Sequence, residues 1–339
     1  MMIRVLALTL LLLTSSLCAQ QGVVPESAAA PTPAVAKQRL KVVVANPIVA
    51  DLVRTVGGSD IDLTVLAGAA GDPHHYEPTP ADARAVASAD LVLPFGLGLD
   101  RSVATMHATG GSSGALVCVA EGLGSVECAT ESGHEHGDGH DAHDGGHASH
   151  GHVYAVPARS IDPHIWHDPS KVQRLNERIC AALCTARPEL AQAFRRRSGE
   201  LDAELVQLDS WIAEQVKKIA QEKRVLVTTH DGLRYFANRY GFRVVGIEGM
   251  AGGVSQSEPA PKDLIAMVRE LEGAQCTVVF GDRAHPSRVA AAVAREAKVK
   301  LVETLSLDGL LPNEATKAPT SYLATMRANV TIIVEALSE

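Results

Sequence analysis

Seven of the fourteen histidines lie between His134 and His152, in the stretch GHEHGDGHDAHDGGHASHGH. Apart from histidine, the stretch holds only Gly, Ala, Ser, Asp and one Glu. Imidazole and carboxylate at this density are ligands for a borderline divalent cation, with zinc the first choice. No residue here can build a core, so the tract is not expected to fold by itself. The alternative is a solvated or tag-like loop, and an internal position with interleaved Asp argues against a tag. Flexible ligands bind weakly and interchangeably, so the tract points to metal without defining a site.

A defined site needs ligands on stiff backbone. Three short segments offer them: GDPHHYEP at 71–78, DPHIWHDP at 162–169 and TTHDG at 228–232. Each sets a histidine just after a strand or in a proline-bearing loop. In open α/β sheets such loops converge at the carboxyl ends of strands, where ligands bind. Pro73 and Pro163 limit the entropy lost when the following histidine is fixed. A lone histidine is usually structural. Three in matched settings, beside a histidine tract, shift the reading to coordination by His74, His164 and His230. His74 and His75 are adjacent and chemically equivalent. His167 is either a further ligand or a polar neighbour of Trp166.

Asp308, in SLDG, follows a strand and can supply a carboxylate. Asp282 also follows a strand, but Arg283 beside it suggests a structural ion pair. Three neutral imidazoles with one carboxylate or a water make a tetrahedral zinc site. Mn2+ prefers more oxygen and Cu+ more sulfur. Asp72, Glu77, Asp168 and Asp231 are near enough in sequence to orient imidazoles.

The elements that must position these residues follow a β/α rhythm. Residues 1–19 read as an export signal, with Arg4 ahead of a short apolar run from Val5 to Leu13 that is too short to span a bilayer. Leu17 before Cys18 argues against a lipid anchor there. Residues 20–37 read as a flexible spacer. Strands are predicted at Leu40–Ala45, Asp62–Leu66 and Asp90–Phe95, with helices at Val49–Val56 and Pro80–Ala89. The histidine tract, 131–152, interrupts this rhythm as a long surface loop. From Pro188 to about Ala220, Leu190, Phe194, Leu201, Leu205, Leu208, Ile212, Val216 and Ile219 form one apolar stripe on a helix on the order of 50 Å long. Arg195, Arg196 and Arg197 on it read as a solvated face. Strands then return at Arg224–Thr229, Arg243–Ile247, Thr277–Phe280 and Lys300–Thr304. Helices follow at Pro261–Glu272, Pro286–Ala297 and Ser321–Leu337. The expected fold class is α/β, with a lobe at 38–187, a long rigid linking helix at 188–220 and a second lobe at 221–339, each lobe built on a mainly parallel sheet.

Composition narrows the function. The chain has 39 acidic against 31 basic residues, a net charge of −8. Such a chain suits a cation and is a poor partner for nucleic acid. After the leader, five cysteines remain. Cys118 and Cys128 could close a short disulfide loop. Cys180 and Cys184 sit four apart on a predicted helix, a spacing suited to burial more than bonding. Gly96-Leu97-Gly98 is too short for a dinucleotide fingerprint. There is no His-Glu-x-x-His helix and no Gly-x-Ser-x-Gly elbow. Nothing calls for catalysis.

Five segments together resemble a known family: 71–80 (GDPHHYEPTP), 96–100 (GLGLD), 162–169 (DPHIWHDP), 229–236 (THDGLRYF) and 307–309 (LDG). They are similar to those of the cluster 9 metal-binding proteins, the extracytoplasmic solute-binding components of zinc and manganese ABC importers, and most similar to the periplasmic high-affinity zinc-uptake proteins. The resemblance covers nearly all of residues 38–337. It implies two β/α lobes joined by a rigid helix, with metal in the cleft between them. It implies His74, His164, His230 and Asp308 as ligands and a membrane permease as partner. A histidine at position 230, where manganese members typically carry glutamate, favours Zn2+. His167 departs from the usual apolar residue. The expectation is therefore a periplasmic, monomeric Zn2+-capture protein and no enzyme. The alternatives are manganese or iron uptake on the same scaffold, an exported zinc hydrolase using Asp231 or Glu77 as base, or a zinc buffer or adhesin without a permease.

Overall fold

A computed structural model describes residues 38–66, 73–129, 159–229, 231–245, 260–313, 315–316 and 318–338. The leader, the spacer, the histidine tract, Asp72 and His230 lie outside the described residues. The first sheet is built from β1 (Leu40–Val44), β2 (Ile61–Val65), β3 (Leu91–Val92) and β4 (Ala115–Leu116), all parallel, in the order β2-β1-β3-β4. The apolar run Leu-Lys-Val-Val-Val of β1 is buried except at Lys41, as a central parallel strand requires. A two-stranded antiparallel pair, β5 (Glu127–Ala129) and β6 (Arg159–Ile161), lies on either side of the histidine tract in sequence.

Helices of this half start on sequence signals. α1 (Pro47–Gly57) has Pro47 in its first turn and is capped by Asn46, whose side-chain Oδ1 accepts from the Ile48 and Val49 amides at 2.8 and 3.2 Å. α2 (Pro80–Ala87) opens with a capping box between Thr79 and Asp82. α3 (Arg101–Thr109) was not foreseen from sequence. It follows the GLGLD turn, in which Gly96 and Gly98 hold φ of 92° and 86°, a region open to glycine at no steric cost. Buried Asp100 closes that turn by accepting from the Phe95 and Gly96 amides. α4 (Pro169–Ala186) starts at Pro169 under an Asp168 cap.

α5 (Ala191–Val216) is the long helix, 26 residues, preceded by a 3-10 turn at Pro188–Leu190. Phe194, Leu201, Leu205, Leu208, Ile212 and Val216 are all buried, the stripe read from sequence. It packs on α4 and α1 on one side of the chain's course. The second sheet contains β7 (Val225–Thr228), β8 (Arg243–Val245), β9 (Val278–Asp282) and β10 (Lys300–Leu305), parallel, in the order β10-β9-β7-β8. Its helices are α6 (Arg234–Tyr240), α7 (Pro261–Gly273), α8 (Arg288–Ala297) and α9 (Tyr322–Ser338). α9 packs on α5 as well, so the long helix carries elements of both sheets. The result is a two-lobe α/β fold, as expected. Among the described residues no helix is long and apolar enough to cross a membrane.

Two expectations are corrected. Arg197 is not on a solvated face. Its guanidinium donates to the Val56 carbonyl at 2.8 Å and to that of Gly57, and it pairs with Asp60, so it caps the end of α1 from α5. The sequence pattern shows a charge run but not that one member lies over a helix C-terminus, where cations are favoured. Cys118 is a free thiol and not half of a disulfide. It sits after β4 against the Gly96 turn, while Cys128 is committed to β5, opposite Ser160. Replacing Arg197 by methionine is expected to cost about 2 kcal/mol, the usual scale for a charge-assisted bond to partly buried carbonyls, read as a lower denaturation midpoint. An unchanged midpoint would remove Arg197 as the link between α5 and α1.

Candidate metal centre

His164, His74 and Asp308 come from far-apart stretches and meet. His74 lies in a 3-10 turn at Pro73–His75. His164 precedes a second such turn, Ile165–His167, and Asp308 follows β10 by three residues. Their ligand atoms form a triangle. His74 Nε2 and His164 Nε2 are 3.0 Å apart, His164 Nε2 and Asp308 Oδ1 3.2 Å, and His74 Nε2 and Asp308 Oδ1 3.5 Å. Zinc bonds of about 2.0 Å in tetrahedral geometry put ligand atoms roughly 3.3 Å apart. The triangle therefore has the size of one face of a zinc tetrahedron. Among the described residues this is the one cluster of three or more such groups. His164 and Asp308 are buried, while the His74 side chain is 27 % exposed, leaving one side open to solvent. His230 lies outside the described residues. It follows Thr229, whose amide donates to the Phe280 carbonyl in the middle of β9.

The electrostatics of the triangle favour a cation. Asp162 Oδ1 accepts from His164 Nδ1 at 2.6 Å and from the His164 amide at 2.9 Å. Asp162 Oδ2 is buried with no hydrogen-bond partner among the described residues. His164 thus stands between two buried carboxylates, Asp162 on Nδ1 and Asp308 on Nε2. Burial alone would depress its pKa, but hydrogen bonds to Asp162 and Asp308 outweigh that and raise it to about 9. The Nδ1–H to Asp162 bond also fixes the ring so that Nε2 faces the cluster, the carboxylate–histidine arrangement found behind metal ligands. Asp162 was missed among the orienting acids read from sequence. The signal was present, because it sits two residues before the histidine in the Asp-Pro-His segment. Asp168 and Asp231 serve elsewhere. Asp168 caps α4 and pairs with Arg239, and Asp231 pairs with Arg234. Glu77 is exposed, and Asp72 lies outside the described residues.

The Asp308 segment is held at the peptide before it. The Leu307 carbonyl accepts from Trp166 Nε1 at 2.8 Å and from His167 Nε2 at 3.0 Å. The Leu307 amide donates to Asp282 Oδ2 at 2.7 Å. His167 is therefore a tether and not a fourth corner of the triangle. Burial, then the neighbouring His164 charge, lowers its pKa to about 4, which keeps it neutral. Asp282 positions the same peptide and also accepts from the Ala284 amide, so its role is backbone anchoring and not a pair with Arg283. Tyr235, on α6, donates to the Asp162 carbonyl, and Tyr322, on α9, to that of Trp166. The two halves of the chain are thus bonded through the residues that flank the triangle.

This support is expected to matter for binding. Asp162→Asn should weaken divalent-metal affinity by about 10–100-fold, and His167→Phe by about tenfold, the range for partners that orient ligands. Equilibrium competition with a chelating dye measures both. Wild-type affinity in both variants would show that the ligand atoms need no such support.

Comparisons with known proteins show the family and the fold. The family model described as "ZnuA: Zinc-uptake complex component A periplasmic" matches residues 42–336. Manganese-binding lipoprotein MntA of Bacillus subtilis is 30 % identical over 308 residues, covering 89 % of this chain and 91 % of that protein. Zinc-binding protein TroA of Treponema pallidum is 25 % identical over 295 residues, covering 86 % of each. Zinc-binding protein AdcA of Streptococcus pyogenes is 26 % identical, and the chain spans 55 % of its length. Among solved structures, periplasmic zinc-binding TroA superposes with a TM-score of 0.70 at 23 % identity, over 89 % of this chain and all of that one. A manganese-bound periplasmic metal-binding protein of Candidatus Liberibacter asiaticus superposes with 0.70 at 21 % identity, over 88 % of this chain. The relative named as a lipoprotein does not support the sequence reading against a lipid at Cys18, a residue outside the described ones. With a matched model spanning almost the whole described chain, on a two-lobe fold with imidazoles and a carboxylate gathered at one point, the chain belongs to the ZnuA family of periplasmic zinc-uptake components, the metal-binding, solute-binding proteins of ABC importers.

Proposed function

We propose that the chain captures Zn2+ outside the cytoplasm, in the periplasm, and hands it as cargo to a membrane permease of an ABC importer. His74, His164, His230 and Asp308 are the ligands in this reading. The observation that carries it is the triangle of Nε2, Nε2 and Oδ1 atoms at 3.0–3.5 Å. His230 supplies the fourth corner. No catalytic step is assigned, and the protein acts as a monomer. The leader at 1–19 directs export, and the tract at 131–152 collects zinc on weaker, interchangeable ligands.

Manganese is the second reading, favoured by the relative named manganese-binding MntA. The donor set speaks against it. Three imidazoles and one carboxylate suit zinc, whereas Mn2+ takes more oxygen. In equilibrium competition Zn2+ is expected to displace Mn2+ from a chain lacking 131–152, with one tight ion per chain. Preferential retention of Mn2+ would replace the zinc reading. Loss of all tight binding on deleting the tract would overturn the assignment of the ligands.

The pH dependence follows from His164. In the metal-free chain its pKa is raised to about 9. At neutral pH the ring is charged, so the ion must displace its Nε2 proton. Affinity is therefore lost as pH falls and gained as pH rises, by about tenfold per unit for this one proton, levelling off near 9. Calorimetry in buffers of different ionisation enthalpy should show about one proton released from His164 per ion at neutral pH. Binding without proton release, and with no pH slope, would exclude His164 as a ligand.

A further inference from the structure

A second cluster of ligand atoms lies away from the cleft. Cys180 and Cys184 are one turn apart on α4, with their Sγ atoms 3.9 Å apart. Cys180 is buried and Cys184 half-buried, and both are free thiols. They line a cavity of about 570 Å3 between α4 and α5, together with Asn176, Arg195, Ser198 and Asp202. Asn176 continues the same helical face one turn earlier. It is 1 % exposed, its amide nitrogen is bonded to the Ser198 carbonyl, and its Oδ1 has no hydrogen-bond partner among the described residues.

The spacing separates two kinds of thiol chemistry. A disulfide needs Cβ atoms about 3.5–4.5 Å apart and an S–S bond of about 2.05 Å. Residues i and i+4 of a helix keep their Cβ atoms about 5–6 Å apart. Closing the bond would break a turn of α4 that packs along α5. An ion bridging two sulfurs asks for much less. Tetrahedral zinc–sulfur bonds of about 2.3 Å would set the sulfurs roughly 3.8 Å apart, and the longer bonds of a larger soft ion set them slightly wider, so the 3.9 Å of the undistorted helix lies close to what such an ion needs.

We propose that Cys180 and Cys184 form a two-thiolate site for a soft, thiophilic cation of the Cu+ or Cd2+ class, independent of the cleft. Soft sulfur ligands select such ions over the hard ones. On binding, each S–H loses its proton to solvent as its S–metal bond forms, so two protons leave per ion. The charge of the ion and the Arg195 guanidinium beside the cavity oppose the negative charge of the two thiolates. Burial and then the neighbouring Cys180 raise the Cys184 pKa, so this thiol keeps its proton until a sulfur-seeking ion displaces it. The Asn176 Oδ1, or water from the cavity, completes the shell.

The test uses the full chain, thiols reduced and oxygen excluded, titrated with Cd2+ and read by near-ultraviolet thiolate-to-cadmium absorption. Imidazole and carboxylate sites do not contribute to this band, so the cleft and the histidine tract are silent. The band is expected to saturate at one ion per chain, to survive in H74A/H164A, and to disappear in C184A. C184A removes the more exposed thiol and should leave the melting temperature within a few degrees of the parent, while C180S repeats the test at the buried one. The proposal is overturned if the parent chain gives no band or if the band persists undiminished in C184A. It is also overturned if mild oxidation removes two free thiols from the parent but none from C184A, since the pair would then close as a disulfide.

Discussion

Two buried carboxylates share one imidazole, and much of the site follows from that arrangement. Asp162 and Asp308 lie on opposite edges of the His164 ring. A carboxylate in a low-dielectric setting must be paired or protonated. Here His164 does the pairing, and its hydrogen bonds to Asp162 and Asp308 raise its pKa to about 9 despite burial. In the proposed reading a divalent cation at Nε2 would do the same work with more charge and at the same place. The metal-free chain would then resemble the loaded one electrostatically, with a proton as the place-holder, and capture would be an exchange of cations. This is a physical reason for a site to stay assembled without its cargo.

That assembly rests on a few backbone groups. The Leu307 peptide is held at both ends, its carbonyl by Trp166 and His167 and its amide by Asp282. The residue after it is Asp308. The position of this carboxylate is thus set by the segment that also carries His164, although the two stretches belong to different sheets. Tyr235 and Tyr322 add hydrogen bonds in the same sense, from α6 and α9 to the carbonyls of Asp162 and Trp166. Behind them, Trp166 stacks edge-on against Phe95 in the core, at 5.3 Å. α5 supports elements of both sheets with one apolar stripe. A scaffold tied together this closely favours local loop adjustment over wide opening when cargo enters or leaves.

The sequence shows the parts whose physics is local. The stripe from Phe194 to Val216, the helix α1, the Pro-initiated helices α2 and α7, and most strands of the two sheets are legible because periodicity, caps and apolar runs act over a few residues. His74, His164 and Asp308 are legible for a related reason. Asp-Pro-His and Leu-Asp-Gly are stiff, polar interruptions after strands, and the structure brings them within 3.5 Å of one another. What stayed hidden depends on distance in space. Nothing near Arg197 in sequence reveals that the end of α1 lies beneath it. Nothing in Ile-Trp-His says that His167 turns away from the cluster to a carbonyl some 140 residues on. The disulfide expected from Cys118 failed because parity and compartment say which thiols could pair, not which ones meet. The short strands β4, β5 and β6 carry too few residues for an alternating pattern to register.

In the proposed reading one cation sits against His74 Nε2, His164 Nε2 and Asp308 Oδ1. Anomalous diffraction at the zinc edge, from crystals grown with one equivalent of Zn2+ and the 131–152 tract removed, measures this directly. A single strong peak is expected about 2.0 Å from each of the three atoms, with a fourth ligand opposite their face. A peak elsewhere, or a peak in the cleft that leaves either histidine nitrogen more than about 3 Å away, would contradict it.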